Sequence, residues 1–500
     1  MEEKLNKLNA LSAEIIDLTH IQALLGWDQQ VLMPPGGTED RGNQAALIGG
    51  MIHERITSDE IGKLITDLET EIGDLTADTD EARTVKRIKR LYEQQTKIPK
   101  ELLIEFIKVT TAANNIWVKA KQDNDFASFQ PSLERIIELR REIANLFTPY
   151  DHIYDPLLDQ FEPGMKTADV KKIFDELRPK QVELLEAISK SKQVDNSFLK
   201  QNYDQALQEK FGKHVITRYG YDWERGRLDI APHPFTTEFS LGDVRITTRY
   251  LDDDGASALF STMHEAGHGM YEQGLDKKYN RTALAGGTSL AIHESQSRLW
   301  ENLVGRSKEF WTFFYPTFQM LFPQYLGDIS LDKFYKGINQ VESSPIRVEA
   351  DEATYNLHIM LRLEIEIGLI EQSMDTKDLP EIWNSKMKEY LGITPSNDSQ
   401  GVLQDVHWSS GLVGYFSTYA LGNLVSVQLW DKMLEENPNV PYEMMKGEFS
   451  TIHNWMREKV HQYGSKYDPQ ELVQKITGSK ITPEPYLNYL SKKYSDIYNL

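Results

Sequence analysis

Two histidines four residues apart, His264 and His268, with Glu265 beside the first, form the run His264-Glu265-Ala266-Gly267-His268. Residues four apart on a helix share one face, with β-carbons about 5–6 Å apart. Two imidazoles so placed can converge on one zinc ion, and the intervening glutamate is positioned to take a proton from the attacking water. The pattern points to metal-assisted peptide hydrolysis with Glu265 as catalytic base. The flanks predict a helix: Asp252-Asp253-Asp254-Gly255 offers capping groups, Leu259 and Met263 an apolar face, and Gly274 a stop.

A hydrolytic zinc site takes three protein ligands and leaves one position open. The chain has no cysteine, so the third ligand must offer nitrogen or oxygen. Gly286-Gly287-Thr288-Ser289 reads as a loop closing on a helix N-cap, and the helix after it carries His293-Glu294-Ser295-Gln296. Neighbouring helical residues point about 100° apart, so one of His293 and Glu294 faces the metal. Glu294, 26 residues after His268, resembles the arrangement of peptidases whose third ligand is a glutamate and is the expected ligand, and His293 is left to packing or hydrogen bonding.

The elements that must hold these residues are nearly all helical. Leu8, Leu11, Ile15 and Leu18 recur at helical spacing, and Met33-Pro34-Pro35-Gly36-Gly37 breaks the pattern. Residues 81–122, 131–145 and 170–190 again carry helical periodicity. Only residues 223–250 lose it; there Thr236–Phe239 and Val244–Leu251 predict two strands about a Leu241-Gly242-Asp243 turn. Arg245 and Thr247 share one face of the second strand; an exposed edge there could pair with an extended peptide, and the alternative is that both residues brace the hairpin against the helix. The aromatic run Phe310, Trp311, Phe313, Phe314 and Tyr315 reads as core packing.

Length and charge set the outer bounds. The chain has 500 residues, and 55 Lys+Arg against 76 Asp+Glu give a net charge of −21, which disfavours nucleic acid and anionic membrane as partners. Neither a secretory signal nor a spanning apolar segment is expected, so the sequence predicts a soluble cytoplasmic protein. Without repeats or flexible linkers, residues 1–500 read as one mostly α catalytic body, in one or two lobes about a groove.

Further motifs stand beside the metal pattern: His233-Pro234-Phe235, Asp243-Val244-Arg245-Ile246-Thr247, Ile346-Arg347-Val348-Glu349-Ala350-Asp351, and Gly401-Val402-Leu403-Gln404-Asp405-Val406-His407-Trp408. With His264–His268 and His293–Gln296 they resemble, in order, the signature motifs of the Taq-type thermostable metallocarboxypeptidase family. Trp27-Asp28 and Met33-Pro34 also resemble that family's N-terminal region. The resemblance implies a helical, clam-like fold around a deep groove with a small β-sheet beside the zinc helix, similar to neurolysin and angiotensin-converting enzyme. It implies a homodimer, zinc with cobalt able to substitute, and stepwise release of C-terminal residues of broad specificity from peptides with a free C-terminus.

Read against that activity, Arg347 is the expected anchor for the terminal carboxylate, because its planar fork can bind it bidentately. A salt bridge to Asp351 is the competing use of Arg347, and Asp351 could otherwise orient a metal-bound imidazole. Arg245 and His407 are candidate substrate contacts, and Tyr419, with Tyr415 as rival, is the candidate oxyanion donor. His233 receives no chemical role. Two other readings share these residues: an endo-acting oligopeptidase lacking the carboxylate anchor, and a catalytically silent peptide-binding scaffold.

Overall fold

The computed structural model describes residues 1–500, and its elements are helices apart from one small sheet. Four helices open the chain: Glu2–Val31, Thr38–Ile56, Asp59–Ile72 and Asp80–Thr96. The Pro34–Gly37 break separates the first two, as the sequence predicts. Leu8, Ile61, Leu64, Ile65, Leu68, Val85 and Ile88 close a small apolar core of their own among these helices. Ion pairs join this region to the rest of the molecule, among them Arg83–Glu471 at 2.6 Å and Lys86–Asp468 at 2.6 Å.

A second, much larger core runs without interruption from Ala113 to Tyr498. Phe310, Trp311 and Phe314 are fully buried in it and stack edge-on and tilted against one another. The aromatic run is therefore packing, as its composition suggests. No helix is long and apolar enough to cross a membrane.

The sheet has three strands, β1 (Gly226–Ile230), β2 (Thr236–Ser240) and β3 (Asp243–Thr248), in the order β1-β3-β2. β2 and β3 form the expected hairpin, paired antiparallel. β1 lies outside the sequence expectation and pairs parallel with β3, Arg227 opposite Arg245 and Asp229 opposite Thr247. Its five residues, GRLDI, are too short and polar to declare a buried face. This corrects the reading of Arg245 and Thr247 as lying on an exposed edge, because β3 is the middle strand and both its edges are occupied. The outer strand next to the hairpin is β2.

Helix Ser257–Gln273 (the histidine helix) packs on this sheet, and helix Leu290–Arg298 (the glutamate helix) packs on the histidine helix and on helix Ser417–Glu436. Both termini follow the sequence signals. Asp254 Oδ1 accepts from the N–H groups of Ala256 and Ser257 at 2.9 and 2.8 Å. Ser289 Oγ accepts from Ile292 N–H at 3.2 Å.

The glutamate helix has a further, unanticipated cap. Glu162 is wholly buried, and its Oε1 accepts from Ala291 N–H at 2.6 Å. Burial pushes its carboxyl up to about 8, despite that hydrogen bond. The group therefore stays protonated in the folded chain where the unfolded chain has ionised it. Its stabilisation is complete below the ordinary carboxyl range and is lost as pH rises towards about 8. In Glu162→Gln the amide oxygen can still cap Ala291 without ionising. The thermal midpoint of the variant, relative to wild type, should rise from about pH 5 to about pH 8 and level off above. A difference that does not change with pH would contradict this assignment.

Candidate metal centre and active site

The histidine and glutamate helices meet where the histidine helix has no side chain. A β-carbon on Gly267 would stand 2.6 Å from the carbonyl oxygen of Gln296 and 2.7 Å from Cα of Ser297. On the opposite side, a β-carbon on Gly422 would stand 2.7 Å from both Cβ and Cγ of Glu294. The glutamate helix is thus gripped between two glycines, and that close approach carries Glu294 to the histidines.

The three candidate ligands converge. One donor atom each from His264, His268 and Glu294 lies within 4.8 Å of the others. Glu294 Oε2 stands 3.5 Å from His264 Nε2 and 3.4 Å from His268 Nε2. Ligand atoms bonded tetrahedrally to zinc at about 2.0–2.1 Å stand about 3.3–3.4 Å apart. The donor set therefore fits a small divalent metal, with nitrogen and oxygen ligands and no thiolate.

The outward nitrogens of both imidazoles are held. His264 Nδ1 lies 2.9 Å from Glu301 Oε2, and His268 Nδ1 lies 2.6 Å from His293 Nδ1. His293 Nε2 in turn meets Glu272 Oε1 at 2.8 Å. His293 thus stands behind His268, and it is Glu294 whose carboxylate lies beside both Nε2 atoms. Asp351 does not orient an imidazole: its carboxyl accepts backbone N–H groups from Glu342, Ala353 and Thr354. Glu301 does so instead. It lies seven residues after Glu294, nearly two helical turns, in a stretch that widens to a π-helical turn at Leu299–Val304. That spacing was the available signal for it.

Charge at the cluster is arranged around Glu294. Burial opposes its ionisation, but Arg298, His264 and His268 outweigh burial and hold the carboxyl well below the usual range. Arg298 Nε donates to Glu294 Oε1 at 2.6 Å and Nη1 to Glu301 Oε2 at 3.2 Å. For Glu301 too the cost of burial is outweighed, chiefly by Arg298 and His264, and its carboxyl falls to about 2. Burial pushes His268 down to about 3, which keeps a lone pair on the ring. Glu265 is buried, which raises its carboxyl, and Thr236 Oγ1 on β2 donates to its Oε2 at 2.6 Å.

Arg347 is buried and does not pair with Asp351. Its Nε and Nη2 donate to Asp405, Nη2 at 2.8 Å, and its Nη1 donates to Tyr355 Oη at 2.9 Å. Arg362 Nη2 reaches the other oxygen of Asp405 at 2.5 Å. Burial opposes the charge on Asp405, but the two arginines hold its carboxyl far below the usual range. Arg298 lies over the ring of Tyr355, 4.7 Å from its centroid, so Tyr355 joins the Arg347 group to the metal cluster.

His407 packs on Phe416 and Tyr415, with ring centroids 4.5 and 5.3 Å away, and burial lowers it to about 4. Tyr419 lies under Arg347, 5.2 Å from the guanidinium, and its hydroxyl is 3.4 Å from that of Tyr415. Arg245 is placed differently. Its guanidinium forks onto Asp243 at 2.9 and 2.8 Å and lies over Trp27 and Phe239, so it ties helix Glu2–Val31 to the sheet. Trp27 of that helix, with His233, Phe235, Thr236 and Thr237, also bounds a cavity of about 430 Å³.

Comparison with known proteins agrees with this geometry. Residues 7–494 match the family model described as carboxypeptidase Taq (M32) metallopeptidase. The chain belongs to that family. Thermostable carboxypeptidase 1 of Thermus thermophilus is 40% identical over 493 residues, 96% of each chain. Carboxypeptidase 1 of Bacillus subtilis is 40% identical over 479 residues, 96% of this chain and 95% of the relative. The crystal structure of the M32 carboxypeptidase from Deinococcus radiodurans superposes over 100% of both chains with a TM-score of 0.96 at 37% identity. The chain is therefore a metallocarboxypeptidase, a hydrolase of C-terminal peptide bonds that uses a divalent metal.

The glycine contact makes a direct prediction for this M32 enzyme. Gly267→Ala should force the two helices apart, costing about 1–3 kcal/mol by overpacking, and weaken metal binding along with stability. Gly50→Ala, where a β-carbon meets nothing within 4 Å, is the control and should be neutral or slightly stabilising. Metal titration and thermal unfolding of both variants check this; full metal affinity in Gly267→Ala would contradict it.

Proposed function

We propose that this metallocarboxypeptidase is zinc-dependent and releases C-terminal residues from peptides with broad specificity. In this reading His264, His268 and Glu294 hold the metal and Glu265 is the catalytic base. The observation that carries the reading is the convergence of three ligand atoms on one point, with the buried Glu265 on the same helix, between the two histidines. When bound, zinc polarises the scissile carbonyl and acidifies water, and cobalt can supply the same chemistry.

The chain's own groups do the rest. Thr236 holds one oxygen of Glu265, leaving the other to take the proton of the attacking water and later deliver it to the departing amine. Burial raises Glu265 above an ordinary carboxylate, which suits a group that must both accept and return a proton. Tyr419, with Tyr415 as rival, stabilises the developing oxyanion; the two hydroxyls lie 3.4 Å apart, so both present an O–H to the same part of the site. His407, packed on Tyr415, contacts the substrate beside it.

Arg347 anchors the terminal carboxylate. Of its five N–H groups, Nε and one on Nη2 go to Asp405 and one on Nη1 goes to Tyr355. One hydrogen on each terminal nitrogen remains, the pair a carboxylate takes end-on. Arg245, committed to Asp243, is withdrawn as a substrate contact. Homodimeric assembly and a cytoplasmic location rest on the family resemblance and belong to this proposal.

Two experiments test the assignment. Glu265→Gln should keep stoichiometric zinc while losing several orders of magnitude in kcat, whereas Glu294→Ala should lose the metal. Metal analysis beside turnover separates these outcomes, and tight zinc binding by Glu294→Ala would contradict the ligand set. For the anchor, amidating the substrate's C-terminus or making Arg347→Ala should each remove an ion pair of about 2–5 kcal/mol, lowering kcat/KM about 30-fold or more. Combining them should cost little beyond either alone. Losses that multiply would show that Arg347 does not touch the carboxylate.

A further inference from the structure

We propose that Glu366 is a positioning residue that brings His407 and Tyr415 side by side at the active site. The inference rests on the roles given above to those two side chains. His407 and Tyr415 lie eight residues apart in a segment with no helix or strand, yet their rings pack with centroids 5.3 Å apart. Tyr415 in turn places its hydroxyl 3.4 Å from that of Tyr419, which lies under Arg347. Something must hold the two ends of the intervening turn together.

Backbone hydrogen bonds do not. Leu412 N–H donates to His407 C=O and Gly411 N–H to Trp408 C=O, both at 2.9 Å, which closes only the first part of the turn. None joins Gly414 or Tyr415 to residues 406–413. The two ends meet instead on one side chain. Glu366, on helix Tyr355–Glu371, is wholly buried. Its Oε1 accepts from the indole N–H of Trp408 at 2.8 Å, and its Oε2 accepts from Gly414 N–H at 2.9 Å. Trp408 and Gly414 are the chain neighbours of His407 and Tyr415.

The surroundings fit a bracket of this kind. Gly414 has a φ of +97°, and a β-carbon there would stand 2.4 Å from the carbonyl oxygen of Leu157. The chain thus passes directly over helix Asp155–Asp159, where Tyr154 Oη donates to Glu366 Oε2 at 2.6 Å beside the Gly414 N–H. Further round the turn, Arg140 Nε donates to Gly411 C=O at 2.5 Å. Every donor that meets Glu366 is buried, so releasing one end of the turn would leave an N–H group without a partner.

The test is Glu366→Gln in the full-length, zinc-loaded enzyme. The variant keeps the size of the side chain but offers a single acceptor oxygen, so one of the two N–H groups must face an amide donor. Misplacing His407 and Tyr415 should lower kcat about 10- to 100-fold, while zinc content and the preference for a free C-terminus over its amide stay as in wild type. Trp408→Phe, which keeps an aromatic ring and removes the indole donor, should show the same kind of loss and carries the test if Glu366→Gln does not fold. Tyr154→Phe removes the one donor outside the turn and should leave kcat nearly unchanged. Lower thermal stability with kcat intact in the folded, zinc-loaded Glu366→Gln and Trp408→Phe enzymes would show a structural role alone. An equal loss of kcat in Tyr154→Phe would show that Glu366 acts through Tyr154; either result overturns the proposal. A crystal structure of Glu366→Gln reads the position directly: the two rings should part, and rings still 5.3 Å apart would also overturn it. Full kcat in the double variant His407→Ala, Tyr415→Phe would instead defeat the roles given to those side chains, a distinct result on which the ring positions do not depend.

Discussion

Gly267 lies between the two candidate ligand histidines, and a methyl group in its place would press on the backbone of the neighbouring helix at Gln296 and Ser297. Helices normally pack about 8–10 Å apart because side chains stand between them. Here one side chain is absent from the contact, and on the other side Gly422 lets helix Ser417–Glu436 close on Glu294 in the same way. The short reach of a glutamate then suffices to meet two imidazoles on a separate helix. The sheet completes the arrangement from a third direction, with Thr236 of β2 holding the Glu265 carboxyl.

A buried network extends from this contact to the proposed carboxylate anchor. Glu294 and Glu301 are paired with Arg298, Arg298 lies over Tyr355, Tyr355 accepts from Arg347, and Arg347 and Arg362 share Asp405. Each charged group is buried or nearly so, and an unpaired charge in such surroundings costs several kcal/mol. No member can swing away without stranding its partner. The network therefore fixes the span between the metal cluster and Arg347, and a fixed span between anchor and metal is what confines hydrolysis to the end of a peptide.

Much of this was legible in the residues themselves. The four-residue spacing of His264 and His268 and the Ser289 cap follow from helix geometry, which is local; that geometry admits only one of His293 and Glu294, and the choice of Glu294 came from the likeness to peptidases with a glutamate ligand. What failed was long-range. Arg347 and Asp351 lie one turn apart in sequence, yet Arg347 pairs with Asp405, 58 residues away, while Asp351 is consumed by backbone N–H groups. Arg245 sits in a strand motif beside the metal helix, yet the unforeseen strand β1 covers that edge and Asp243 takes the guanidinium. Glu301 was missed because nothing in its immediate sequence marks it; only the seven-residue interval from Glu294 puts it near His264.

The central claim is that one metal is held by two imidazoles and one carboxylate brought together by the Gly267 contact. X-ray absorption at the zinc edge, on protein loaded with one equivalent, tests it most directly. The account predicts a light-atom shell at about 2.0–2.1 Å whose outer scattering requires two imidazole rings, the remaining donors being oxygen. A third imidazole in that shell would place His293 in the site instead of Glu294 and contradict the account.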